Sequence, residues 1–462
     1  MKSTHLSRRE FLVLAGAMSS AALVVACAPA GQAPAAGGGE AAVPAGEVIT
    51  LEFLGDPGIP DNYPDEQEKF HDEYPNLAWK QVQQQEGVQL LTLIAAGTPP
   101  DTARIESNLY RTFVKDKVLV DITDLIQADS LFSNPDYWLQ PQETDRCAVD
   151  GRWYGIGSCW VAPHMYYNAE VFEAAGIEPP SNDPDQAWEW DTFVEVAKQM
   201  TTDVNGKHPS DNGFDPENVD VWGVNWPTWW IPLHAAIQSN KGEWINSEGQ
   251  LALDTPEATE ALQRIADLRF VHQVMPQAAQ MEGLGMSDVQ LLETKKVAMH
   301  VDGSWALSWL YKIGDKLRTA VLPKMKRPAT DLQAHLITIV DGSKHINESW
   351  ELVRFFSSPW YQERYCQQGL WLPSQTSLTT PESVAQWCVE PVHPAGYVDI
   401  VTKYVPQYGH FLTMPTGYVK AQDTIVGPAL DAIFNGEQSA EAAMAVIADA
   451  NKVMAEEAAR GG

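Results

Sequence analysis

The sequence predicts an α/β protein of two domains, each an open, mostly parallel sheet with helices on its faces. Two observations lead there. The body, residues 47–462, is too long for one hydrophobic core. Its first segments alternate strand, helix, strand, helix, strand, and a second set of strands and helices begins after residue 190.

In order, Val48–Leu54 alternates and turns at Gly55-Asp56-Pro57-Gly58, a strand entering a loop. Asp65–Tyr74 reads as a helix ended by Pro75, Ala78–Gln83 as a strand, and Val88–Ala96 as a helix stopped by Gly97; a third strand follows Pro99-Pro100-Asp101. In such sheets a ligand sits at the carboxyl ends of the strands, so the loops Gly55–Pro60 and Glu106–Tyr110 are candidates for binding. The second set holds a helix at Asp191–Met200 with Asp191 as N-cap, a strand at Val221–Val224, and a helix at Ala258–Val271 opened by Asp254-Thr-Pro-Glu257. Strands at Val297–Val301 and Leu336–Val340 precede helices at Asn347–Phe356 and Thr424–Phe434, and Ala440–Ala459 forms an amphipathic tail.

The N-terminus stands apart from this body. Ser7-Arg8-Arg9-Glu10-Phe11-Leu12 is a twin-arginine export signal before an apolar run that ends in Val24-Val25-Ala26-Cys27. That ending resembles a bacterial lipobox, which implies removal of residues 1–26 and lipidation of Cys27. Residues 27–46, rich in Ala, Pro and Gly, read as a tether. The expectation is a protein exported by the twin-arginine route and held on the outer face of the cytoplasmic membrane by its N-terminal lipid alone. A net charge of −30 argues against nucleic acid and against a strongly anionic ligand. The spacings of Cys147 with Cys159 and of Cys366 with Cys388 allow two local disulfides, with buried free thiols as the alternative. The acidic run Asp211–Asp220 could hold calcium but reads better as a solvated loop.

Several segments resemble bacterial extracellular solute-binding proteins of the carbohydrate-uptake type. They are LLTLIAAGTPPDTARI (90–105), MYYNAEVFEAAGIEPP (165–180), WEWDTFVEVAKQMT (188–201), LDTPEATEALQRIADL (253–268), KKVAMHVDGSWAL (295–307) and VDGSKHINESWELVRFFSS (340–358). Together, in order, they cover most of residues 47–375. The resemblance implies a two-lobed, periplasmic-binding-protein-like fold, similar to maltose-binding proteins, with three chain crossings and a cleft closed by a hinge. Carried onto this sequence, the crossings fall near Val161–Pro163, Glu293–Lys296 and Asp341–His345. One lobe then holds 47–162 and 297–342, and the other 163–296 and 343–462.

The implied function is an ABC-importer receptor, a monomer without cofactor, that binds a sugar or oligosaccharide and hands it to the permease. Sugars present apolar C–H faces that stack on indoles, while their hydroxyls need polar partners. Trp226, Trp229 and Trp230 stand at i, i+3 and i+4, on one face of a turn beginning at Pro227, and the second and third are expected at the ligand. Trp305, after Gly303-Ser304, is expected as the cleft floor, with the glycine allowing close approach. Trp160 at a crossing, Trp371 in Gly369-Leu-Trp-Leu-Pro373, and Tyr418 complete the aromatic set. Asp56, Glu106 and Asn108 are the polar candidates, and His164 is expected to cap or pack at the crossing. A secreted glycoside-active enzyme, or a receptor for a peptide, polyamine or glycerophosphodiester, are the other readings. No zinc-protease, nucleophile-elbow, phosphate-loop or EF-hand motif is present.

Overall fold

The computed structural model describes residues 48–55, 64–83 and 89–460. The export signal, Cys27, the tether and Asp56 lie outside the described residues. The elements that frame the site begin with β1 (Ile49–Gly55), α1 (Pro64–Glu73), β2 (Leu77–Gln83), α2 (Gln89–Ala95), β3 (Thr102–Glu106) and α3 (Ser107–Lys115). Then come β4 (Gly155–Gly157), β5 (Pro163–Asn168), α4 (Trp190–Met200), β6 (Thr202–Asp203), β7 (Val219–Asn225), α5 (Trp230–Ser239) and α6 (Pro256–Phe270). The last are β8 (Val297–Gly303), β9 (Leu317–Ala320), β10 (Thr330–Leu332), β11 (His335–Ile339), α7 (Ile346–Phe356), α8 (Pro359–Gln367), β12 (Gly409–Phe411), α9 (Gly427–Phe434) and α10 (Ile447–Arg460).

Two five-stranded sheets result, ordered β2-β1-β3-β11-β4 and β9-β5-β8-β7-β6, with β10 and β12 paired between themselves. The expected parallel start is present, since β1 pairs parallel with both β2 and β3. Elsewhere the sheets are mixed: β11 runs antiparallel to β3 and β4, and β5 antiparallel to β8 and β9. The cause is topological. Strands that enter a sheet by crossing from the other one are not bound to the parallel βαβ hand.

Strand pairing also differs from the expected division of the chain. β8 and β9 belong to the second sheet, so residues 297–320 do not join the first as anticipated. Glu293–Lys296 therefore leads into a strand of the sheet the chain already occupies. The links between sheets fall in 158–162, close to the expected first crossing, and in 321–334. Helix α7 does not leave the first sheet after Asp341–His345 either. It buries Phe356 against Phe53 at 4.6 Å and Trp79 at 5.1 Å, in β1 and β2. α8 follows it, with an ion pair from Arg364 to Asp65 of α1. The chain reaches the second sheet again by Tyr397, whose ring packs on His164 at 5.4 Å. Hydropathy marks a strand as buried, but pairing is a long-range choice that periodicity does not encode.

Local signals fared better. α4 begins one residue before Asp191, with Glu189 as N-cap, so Asp191 lies in the first turn, where its charge still complements the helix dipole. α6 starts with Pro256 and Glu257 in its first turn behind Thr255. The expected tail divides into Ala440–Met444 and α10. The four described cysteines are free, and burial raises the thiols of Cys147 and Cys366 and pushes Cys388 up to about 12. Among the described residues no helix is long and apolar enough to cross a membrane. Nor does any group of three His, Cys, Asp or Glu there have metal-holding geometry.

Two core histidines give the fold a pH dependence. Burial holds His164 and His393 each at about 4, and His164 Nδ1 lies 3.2 Å from the Ala162 carbonyl. Unfolded imidazoles protonate near 6.5, so between those values the unfolded chain binds more protons. Stability is then full above about 6.5 and is lost as pH falls toward 4. The buried Asp331 carboxyl, raised by burial, works in the opposite direction. Urea midpoints should show a loss on the order of 3 kcal/mol between about pH 7 and pH 4.5; a flat profile would remove this account.

Candidate functional site

A cavity of about 380 Å3 opens where the segments that link the two sheets meet. β3 ends at Glu106, the exposed N-cap of α3, and both Ser107 and Asn108 of that helix face the cavity. The Ser107 hydroxyl donates to the Ala334 carbonyl, tying α3 to the linking segment that carries Gln333 and Ala334 and leads into His335 of β11. From the second sheet, β7 leads through Pro227 to α5, whose cap Trp229 and first residues Trp230 and Ile231 line the opposite wall. β8 leads into a 3-10 turn that presents Trp305, with Trp309 one helical turn on. Leu370 and Trp371 close the base, and Val161 comes from the other linking segment.

The indoles are held from behind. Trp371 is 3% exposed, stacked on Tyr365 at 4.4 Å with the Arg104 guanidinium 5.4 Å from its ring. Trp229 is 41% exposed; its ring lies 5.8 Å from that of Trp305 and 6.2 Å from Trp230, at 47° and 89°. Gly303 seats Trp305. A Cβ there would lie 2.1 Å from the folded-back indole ring, so only glycine leaves room.

Polar groups are few and several lack partners. Asn108 Oδ1, Gln333 Oε1 and Trp309 Nε1 are buried without a hydrogen bond. Burying such atoms unpaired is costly, and clustered instances mark a place where something else supplies the partner. Glu106 is the one acid, and no Lys or Arg occurs, among the described lining residues.

The structure thus gathers Trp229, Trp230, Trp305, Trp371, Glu106 and Asn108 of the expected residues. The others fall elsewhere. Trp226 is 1% exposed, against Trp190 at 5.7 Å and Phe193 at 6.1 Å. It does not share a helical face with Trp229, because Trp229 is extended and the helix starts only at Trp230. Trp160 is also core, covered by the Arg146 guanidinium at 3.7 Å, while its backbone pairs with Leu372. Ser304 is buried and spends its backbone N–H on the Ala162 carbonyl, so it supports the turn without lining the cavity. Tyr418 is 3% exposed and donates to Gln422 Oε1 at 3.1 Å, away from the cavity. His164 packs at the crossing as expected, with its Nδ1 3.2 Å from the Ala162 carbonyl.

Trp309, Gln333 and His335 line the cavity as well, beyond the residues expected from the sequence. Trp309 stands at i+4 from Trp305, a spacing that was legible. Gln333 and His335 lie in a stretch whose role depends on where the chain crosses.

The structure is thus a two-sheet α/β body with a tryptophan-walled cavity at the crossing segments. Residues 56–363 match the pattern of the bacterial extracellular solute-binding proteins, and the chain belongs to that family. It is similar to the arabinooligosaccharide-binding protein of Halalkalibacterium halodurans, 27% identical over 189 residues, which are 40% of this chain and 36% of that protein. The match thus spans little more than a third of that relative's length. The fold is that of the two-lobed periplasmic binding proteins. It resembles the substrate-binding protein Lmo0181 of Listeria monocytogenes, solved with cycloalternan (TM-score 0.76, 20% identity, 88% of this chain and 100% of that one). It also resembles maltose-bound MalE3 of T. maritima (TM-score 0.68, 19% identity, 87% and 99%).

Proposed function

We propose that this protein is the extracytoplasmic receptor of an ABC importer, binding a neutral sugar or oligosaccharide in the cleft and delivering it to the permease. The observation that supports this reading best is the pairing of five indoles with three unpartnered polar atoms around one cavity. Sugar C–H faces stack on the rings, and hydroxyls, which both donate and accept, satisfy Asn108 Oδ1, Gln333 Oε1 and Trp309 Nε1. The lining of described residues offers no Lys or Arg for phosphate or carboxylate. Asp56, next to β1, is a further proposed contact.

The lobes are proposed as 48–157 with 335–387, and 163–320 with 397–460. Ligand held by one recruits the other, and the closed form is the one the permease reads. Export by the twin-arginine signal, lipidation at Cys27 and action as a monomer complete the reading. A thermal-shift screen of residues 47–462 against mono- and oligosaccharides, amino acids and polyamines tests it. A rise of several degrees with one sugar series, without product on chromatography, supports a receptor. Release of reducing ends without a shift points to an enzyme.

A further inference from the structure

Gln333 lies at the point where two linking segments pair. Its backbone N–H donates to the Val161 carbonyl at 3.1 Å, and its own carbonyl accepts from Val161 N–H at 2.8 Å. The backbone is therefore fixed, and the residue, 3% exposed, lines the cavity. Its amide nitrogen faces the Leu412 carbonyl at 3.5 Å, which leaves Oε1 buried and without a partner. Two residues earlier, Asp331 hydrogen-bonds His234 in a fully buried contact. His234 stands at i+4 from Trp230 on α5, so the contact fastens the aromatic helix to the strand that leads into Gln333.

Resting on the sugar-receptor reading, we propose that Gln333 is the specificity-determining acceptor of the cleft. Its Oε1 takes a hydrogen bond from one hydroxyl of a neutral saccharide, at a position held by the Asp331–His234 contact. A ligand lacking a donor at that point leaves the oxygen unpaired and is rejected.

The test is Gln333→Met, which keeps length and removes the acceptor. Wild type and variant are titrated calorimetrically with maltotriose, cellotriose and arabinotriose. Affinity for the sugar that wild type binds best should fall about tenfold or more. The ligand-free melting temperature should be unchanged or higher, because a buried unpaired oxygen has been removed. Gln333→Glu retains an acceptor oxygen and should bind more tightly than the methionine variant. Unchanged affinity, equal weakening by both variants, or a matching fall in ligand-free melting temperature would each overturn the role of Gln333 alone. Failure of wild type to bind any of the three, or any sugar in the wider screen, would overturn the receptor reading and this role with it.

Discussion

Replacing Trp305 with alanine is expected to weaken sugar binding at least about 30-fold, the scale of an interface hot spot of about 2 kcal/mol. Three features single out this ring. It is half-buried and turned into the cavity, it is braced by Trp229 at 5.8 Å, and Gly303 is shaped to receive it. A rigid platform loses little entropy when a sugar settles on it. Gly303→Ala is the companion change. A Cβ 2.1 Å from the ring must displace it, so affinity should fall although every lining side chain is intact. Calorimetric titration with the best sugar from the screen decides the matter. If both variants bind as wild type does, Trp305 is not the platform.

The largest effect on stability is expected at Glu143→Gln. Glu143 and Arg146 form an ion pair with both side chains 0% exposed. The carboxylate also accepts from Gly157 N–H at 2.8 Å, and the guanidinium donates to the Cys159 carbonyl at 2.6 Å while covering Trp160. Neutralising one partner leaves a buried cation without its counter-charge, which costs about 3–5 kcal/mol. A melting-temperature loss of roughly 10 °C is the expected reading. Removing both charges together, Glu143→Leu with Arg146→Met, should recover much of that loss, since paired apolar replacements of buried ion pairs are often neutral. A single variant that melts like wild type would mean that water already reaches the pair. The consequence extends to binding. Trp160 and Val161 follow Cys159 directly, and Val161 lines the cavity, so a loosened pair should also relax that wall.

Much of the candidate site is legible in the sequence. Trp305 behind its glycine, Trp371 in its Gly-Leu-Trp-Leu-Pro setting, and Glu106 with Asn108 at a strand's carboxyl end were marked by local chemistry and by family resemblance, and the cavity gathers them. Trp160 and Ser304 have the right residue type in a plausible stretch, yet other parts of the chain cover them away from the cavity: Arg146 and Phe411 over Trp160, and the Ala162 carbonyl at Ser304. The expected shared face of Trp226 with Trp229 and Trp230 does not form, since the helix starts at Trp230 and not at Pro227.

Resemblance of several segments implied the family. The α/β class, most strands and helices to within a few residues, and the aromatic character of the candidate site are written locally in the chain. These follow from periodicity, capping and composition, which act over a few residues at a time. Long-range pairing places β8 and β9 in the second sheet, α7 over the first, and Gln333 and His335 at the cavity. Those outcomes rest on which strand pairs with which, and on which side chains are left without partners once the pairs have formed. Both are properties of contacts between residues far apart in the chain, so no local pattern records them.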